Sequence, residues 1–250
     1  MKKGLTILLF CLVLFSFVAC GQTQNVPTQP DDVQNTDTQE QEQDYTFSLP
    51  PGTDVFYGLI VANMGDTLLV TKNETEGKTT GLYTLSAKYL DSKQDASMLV
   101  PGTYFKLYYG GFIMESYPMQ FGDPVVFTCE QTKEDIVTPL TEFALEKIPS
   151  DATWIALDLT GVEGLSDGER DAVFYLLECN KTLACDVVRF DPSALTAEEL
   201  LNNENAPAGG AVLRVEAQLQ NGKLVGTWRL TDTQTVREGT NEQLISYYLN

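Results

Sequence analysis

The chain has 250 residues and a formal net charge of −19, with 35 acidic residues against 16 Lys and Arg. No segment is a basic patch: residues 21–50 carry six acids and no base, and residues 131–250 carry twenty acids and nine bases. This argues against nucleic-acid binding by phosphate neutralisation and against docking on anionic lipid heads. Histidine is absent, which removes Ser-His-Asp and Cys-His nucleophile systems and nearly all catalytic zinc sites.

The chain opens with Lys2 and Lys3, then an apolar run from Leu5 to Ala19 that ends at Cys20. A short positive start, an apolar core and small residues before the cut are the marks of an export signal. The run is short of the roughly 20 residues a spanning helix needs, and no basic stop-transfer cluster follows it. Residues 1–19 are therefore expected to be a signal peptide. Phe17-Val18-Ala19-Cys20 resembles the lipobox of bacterial lipoproteins, with Phe17 where that family usually has Leu. The resemblance implies that the Cys20 thiol takes a diacylglyceryl group and becomes the new N-terminus. Two or more acyl chains, of the palmitate kind, would hold the chain to the bilayer on the extracytoplasmic side of the cell membrane.

Residues 20–50 are rich in Gln, Asn, Thr and Asp and poor in apolar side chains. Such a stretch buries too little surface to offset its ordering entropy and is expected to be a disordered tether. At roughly 5–6 Å × √n, its mean reach is about 30 Å. About 200 residues remain for folded structure, enough for one large domain or two small ones. Beyond Cys11 and Cys20, the cysteines are Cys129, Cys179 and Cys185. Buried free thiols and a Cys179–Cys185 bridge are both open readings, and the spacing matches no zinc or redox signature.

Residues 51–130 contain five strand-like runs: Val55–Val61, Thr67–Lys72, Thr80–Leu85, Thr103–Tyr109 and Pro124–Cys129. Turn-formers such as Met64-Gly65-Asp66 and Pro101-Gly102 separate most of them, and Ala87–Leu99 can hold a short helix. Five strands with a helix after the third is the order of an OB-like β-barrel, which is the expected fold of this all-β region. The stretch from Gly102 to Gln120 is the most distinctive in the chain. Its Gly102-Thr103-x-Phe105-x-Leu107-x-Tyr109 strand and its Ser116-Tyr117-Pro118 turn resemble a small β-barrel domain of unassigned function found in secreted proteins and lipoproteins of Gram-positive bacteria. That resemblance brings no activity with it. Tyr108, Tyr109, Phe112, Met114, Tyr117 and Met119 make the loop after the fourth strand apolar and aromatic. In an OB-type barrel this loop borders the ligand face, so Tyr109, Phe112, Met114, Glu115 and Tyr117 are the candidate ligand-binding residues. The alternative is that they plug the barrel end, with Ser116-Tyr117-Pro118 as a rigid turn.

Residues 131–250 are expected to form a second, α+β domain with a mostly antiparallel sheet and its helices on one face. Trp154–Leu159 reads as a strand. Ser166-Asp167-Gly168-Glu169 is a capping box, and Ala172, Val173, Leu176 and Leu177 follow on one helical face. Leu183–Phe190 reads as a strand, and Thr196-Ala197-Glu198-Glu199 as a second capping box. Asn221-Gly222 signals a type I′ hairpin that sets Leu219 opposite Leu224, Val215 opposite Trp228 and Leu213 opposite Leu230. The same register sets Arg214 opposite Arg229, which is unfavourable unless Glu216 or another acid bridges them. Leu244–Leu249 can add an edge strand.

Asp158, Glu163, Asp167 and Glu169 gather around the first strand-to-helix connection, and paired carboxylates of this kind can serve a glycosidase or hold Ca²⁺. The spacing matches no EF-hand loop, and Glu169 and Asp167 are already explained by helix capping. No phosphate loop, dinucleotide fingerprint or nucleophile elbow is present, and no cofactor or metal is implied. The expected function is that of a non-enzymatic, membrane-anchored extracytoplasmic lipoprotein binding an extracellular ligand or partner protein. The alternative is a carboxylate-based hydrolase acting on cell-wall or dietary glycans.

Overall fold

The strand Thr103–Tyr109 alternates without a break: Thr103, Phe105, Leu107 and Tyr109 are buried, while Tyr104, Lys106 and Tyr108 are half-buried. That period of two assigns one face to a core. The computed structural model describes residues 49–73, 81–204, 206–220 and 223–244. The export signal, Cys20, the tether and the Asn221-Gly222 turn lie outside the described residues.

The first sheet holds β1 (Asp54–Asn63), β2 (Thr67–Lys72), β3 (Leu82–Ser86), β4 (Thr103–Tyr109), β5 (Ile113–Met114), β6 (Met119–Phe121) and β7 (Pro124–Thr132). Its order is β5-β6-β3-β2-β1-β4-β7, antiparallel except where β3 meets β6. The second sheet holds β8 (Trp154–Val162), β9 (Asp186–Arg189), β10 (Gly210–Gln220), β11 (Lys223–Asp232) and β12 (Val236–Leu244), in the order β12-β11-β10-β8-β9. The helices are α1 (Val137–Lys147), α2 (Asp167–Glu178) and α3 (Ala197–Leu201). The molecule is therefore mostly β, with two sheets that are open in their strand pairing. Among the described residues, no helix is long and apolar enough to cross a membrane.

The expected helix over Ala87–Leu99 is replaced by two single turns of 3-10 helix, Ala87–Tyr89 and Ala96–Met98. The reason is local. Asp91 Oδ1 accepts from Lys93 N at 3.0 Å and Asp95 Oδ1 accepts from Ser97 N at 2.8 Å, so aspartates compete for backbone donors that a helix needs. The segment is instead latched to β7. Leu90 bridges Phe127 in parallel, and the Gln94 amide accepts from Cys129 N and donates to Cys129 O, at 2.6 and 2.8 Å.

The second sheet is mixed rather than mostly antiparallel: β8 runs parallel to both β9 and β10. The helix α2 connects β8 to β9, and α3 lies between β9 and β10, and such crossovers join parallel strands. The helices also occupy both faces, not one. On one side, α1 and α2 pack on Ile155, Leu157, Leu213 and Val215. On the other side, Ala197, Leu200 and Leu201 of α3 cover Trp154, Ala156, Phe190 and Val212. Both expected capping boxes form, Ser166 with Glu169 and Thr196 with Glu199. The hairpin register is as expected, with Leu213, Val215 and Leu219 opposite Leu230, Trp228 and Leu224, and Arg214 opposite Arg229. The edge strand lies earlier than expected, at Val236–Leu244, and residues 245–249 lie outside the described residues. Its sequence, Val-Arg-Glu-Gly-Thr-Asn-Glu-Gln-Leu, is polar and charged, which suits an exposed sheet edge but carries no hydrophobic period.

The helix α1 has no counterpart in the sequence reading. Asp135 Oδ1 starts it by accepting from Val137 N and Thr138 N at 3.0 and 3.2 Å, and Pro139 sits in its first turn, where no helical N–H is needed. Its apolar residues Leu140, Phe143 and Ala144 are buried together with Leu59, Val61 and Leu69 of the first sheet and Leu213 of the second. One apolar core thus crosses the position of the expected boundary between residues 130 and 131, and Phe47–Asn250 forms one compact unit. A second core, on the opposite face of the first sheet, holds Phe56, Ile60, Leu68, Phe105, Leu107 and Phe127.

At the seam, α2 meets β2 closely: a Cβ built on Gly168 would lie 1.8 Å from Thr71 Oγ1. Gly168→Ala is expected to lower stability by about 1–3 kcal/mol through overpacking. Thr71→Ala in the same chain should recover part of that loss. Urea unfolding checks both, and because the core is shared it should show a single transition; two separate transitions would contradict that. Burial also holds the Asp135 carboxyl above the usual carboxylate range, outweighing the bonds from Thr138 and Val137 that lower it. A folded value above the unfolded one means that the folded chain binds this proton more tightly. Ionised Asp135 therefore subtracts stability at neutral pH, and stability is gained as pH falls through the raised value towards the ordinary one. Asp135→Asn, which keeps the acceptor oxygen, should raise the urea midpoint at neutral pH, and the difference should shrink below the ordinary carboxylate range.

Candidate functional site

The chain leaves β4 through Gly110 and Gly111, the latter at φ 79, and turns back as the β5–β6 hairpin. Ile113 pairs with Phe121 and Met114 with Gln120, and Gly122 N donates to Phe112 O at 3.0 Å. The Phe112 ring lies flat on Gly122: a Cβ there would fall 2.0 Å from the ring. At the tip, Ser116 Oγ donates to Pro118 O at 2.6 Å and the Tyr117–Pro118 peptide is cis.

Anchorage on the inner side comes from Phe121. Its ring centroid lies 4.8 Å from Phe56, 5.2 Å from Tyr83 and 5.4 Å from Tyr109. Tyr109 therefore belongs to this aromatic core, 8% exposed, and is not part of the surface it was expected to help form. Desolvation raises the Tyr109 hydroxyl pKa, with the nearby Asp54 charge adding to it, so the group stays a neutral phenol. Four other side chains of the loop face solvent: Phe112 is 50% exposed, Ile113 36%, Met114 45% and Tyr117 59%. Glu115 is exposed beside them. Ile113 was not among the expected residues; the two-residue strand Ile113–Met114 is too short to show a period in the sequence.

The tip is also braced from outside the first sheet. Tyr117 meets Tyr175 of α2 edge-to-face at 5.9 Å, and its hydroxyl accepts from Arg189 Nη2 of β9 at 3.3 Å. Arg189 is in turn paired with Asp171 and lies over the Phe174 ring at 4.8 Å. Neither Tyr175 nor Arg189 carries a sequence signal for this role, because they lie 58 and 72 residues from Tyr117 along the chain.

The four acids near the first strand-to-helix connection separate in space. Asp158 points to the α3 face of the second sheet, 1% exposed, accepting from Thr160 N and Oγ1 and from Arg214 Nε at 3.0, 2.6 and 2.7 Å. Glu169, also buried, closes its capping box and pairs with Lys133 at 2.6 Å. Asp167 pairs with Arg170, and Glu163 is exposed. Among the described residues, no group of three or more His, Cys, Asp or Glu is placed to hold a metal ion. Cys129, Cys179 and Cys185 are free thiols; burial pushes Cys129 up to about 12, so it remains protonated.

Compared with known proteins, the chain matches no family model and no curated protein. Its geometry alone distinguishes two groups of loop residues. Tyr109→Ala is expected to cost about 3–5 kcal/mol, as for other large aromatic truncations in a core. Phe112→Ala and Tyr117→Ala, on the exposed side, should each stay within about 1 kcal/mol of the parent. Urea midpoints measure the contrast.

Proposed function

We propose that the chain is an extracytoplasmic lipoprotein, anchored through Cys20, that binds a partner protein with its β5–β6 hairpin. The observation that carries the reading is the set of four large apolar side chains exposed on one short, doubly braced hairpin. Apolar side chains in the open are costly to leave uncovered, and groups of them mark contact sites. The hairpin forms one edge of the first sheet, and its exposed apolar side chains line none of the clefts described for the molecule, whereas small-molecule sites are concave. Two exposed aromatics, Phe112 and Tyr117, suit a hollow on another protein, where such residues act as anchors.

The strand order supports an OB-like reading of the first sheet. The order β3-β2-β1-β4-β7 follows the OB sequence of neighbours, and the parallel Leu90–Phe127 bridge lies where the third and fifth strands of such a barrel would meet. The basic start, the apolar run and Ala19-Cys20 support the lipid anchor, and the acidic chain offers no second electrostatic grip on the bilayer.

A photo-crosslinking residue at Met114, in the full chain expressed in its own membranes, should capture one discrete partner band. Phe112→Ala with Tyr117→Ala should abolish that band while costing no more than about 2 kcal/mol by urea unfolding, and a crosslinker at Val236 should not produce it. Equal capture from both positions would sink the proposal. Labelled-palmitate incorporation lost in Cys20→Ala checks the anchor separately.

A further inference from the structure

The outer face of the second sheet carries a row of four charges in cross-strand register: Asp158 on β8, Arg214 on β10, Arg229 on β11 and Glu238 on β12. Neighbours in such a row stand about 4.5–5.5 Å apart at Cβ. Two arginines side by side are unexpected in a chain of net charge −19. The buried Asp158 carboxylate holds Arg214 through Nε, at 2.7 Å, which leaves the Nη1–Nη2 edge of the guanidinium for a second partner. Arg229 is exposed and has no ion-pair partner among the described residues. Glu238, directly opposite Arg229, makes no ion pair with it.

The arginine pair lies in a concavity. On one side, a cleft of about 450 Å³ is bounded by Arg214, Arg229, Glu216, Thr227, Glu238 and Thr240. On the other, a cleft of about 340 Å³ shares both arginines and runs on to Thr231, Val236 and Glu198 of α3. Each is within the usual size range of small-ligand sites. Around the cationic centre the lining combines hydroxyls and carboxylates with apolar side chains, among them Trp228, Pro192 and Val236.

We infer that this groove binds an acidic saccharide, a sugar bearing one carboxylate or phosphate, with the oxyanion held between Arg214 and Arg229. Guanidinium groups bind planar and tetrahedral oxyanions through paired N–H donors. A bare anion would face Glu216, Glu238 and Glu198 around the arginines and be repelled by them. A sugar supplies hydroxyl donors that those carboxylates accept, together with hydroxyl partners for Thr227, Thr231 and Thr240. Asp158 offsets Arg214, so the charge left uncompensated here is that of Arg229, which a bound oxyanion would neutralise. This site lies on another face from the hairpin and is independent of the partner-binding reading.

The test uses the full chain in detergent, titrated calorimetrically through the millimolar range with glucuronate, glucose 6-phosphate, inorganic phosphate and glucose. Saturable binding is expected for glucuronate or glucose 6-phosphate, which separates carboxylate from phosphate, with weaker binding of inorganic phosphate and none of glucose. Arg229→Gln should weaken it by about tenfold or more, as loss of a charge-assisted contact does. The same variant should leave the melting temperature unchanged or raise it, because a like-charge neighbour is gone; a purely structural arginine would lower it. Arg214→Lys keeps a cation near Asp158 and should also weaken binding. The inference fails if neither acidic sugar binds saturably, if Arg229→Gln binds as well as the parent, or if inorganic phosphate binds as tightly as the sugar phosphate.

Discussion

β1 is apolar on both faces, and the arrangement of the molecule follows from that. Phe56 and Ile60 enter the aromatic core of the first sheet, while Leu59 and Val61 of the same strand point the other way. A strand with two apolar faces must be covered twice. Other strands of the first sheet supply one cover with Phe105, Leu107 and Phe127. The helices α1 and α2 supply the other, and they in turn need the second sheet to bury their remaining apolar surface. At the same seam Glu169, buried at the start of α2, accepts both its cap bonds and the Lys133 ammonium from the chain just beyond β7. Removing one partner of such a pair leaves a buried charge, so the contact fixes the geometry more than it adds net stability.

The shared core gives the β5–β6 hairpin two supports. Phe121 roots it in the aromatic cluster, and Tyr117 rests against Tyr175 and Arg189. A short two-stranded ribbon is marginal by itself in water. Held at root and tip, it can keep Phe112, Ile113 and Met114 in the open, and a pre-ordered surface loses less entropy on binding.

Charge is distributed with similar economy on the second sheet. The sequence required an acid to offset Arg214 against Arg229, and that acid is Asp158, brought in from β8 by a parallel pairing. It neutralises one arginine and leaves the other in solvent. The Asp158 carboxylate is fully engaged by Thr160 and Arg214, so its place near the first strand-to-helix connection is that of a structural counter-ion.

By itself, the sequence determined the elements whose causes are local. Turn-formers and β-branched or aromatic runs placed β2 and β4 at their observed ends, side-chain caps placed the starts of α2 and α3, and a two-residue turn signal set the β10–β11 register. These depend on residues within about one turn of each other. What tertiary structure alone decided is whatever depends on distant partners. It made Tyr109 a core residue, because Phe121 comes back to meet it. It hid α1, whose weak cap and early Pro139 carry little signal until Leu59 and Leu213 close over it. It made β12 a strand, since its polar side chains have no period and only pairing with β11 holds them. It also joined the regions on either side of residue 130 through one core, because the second apolar face of β1 is a demand that no local pattern can satisfy.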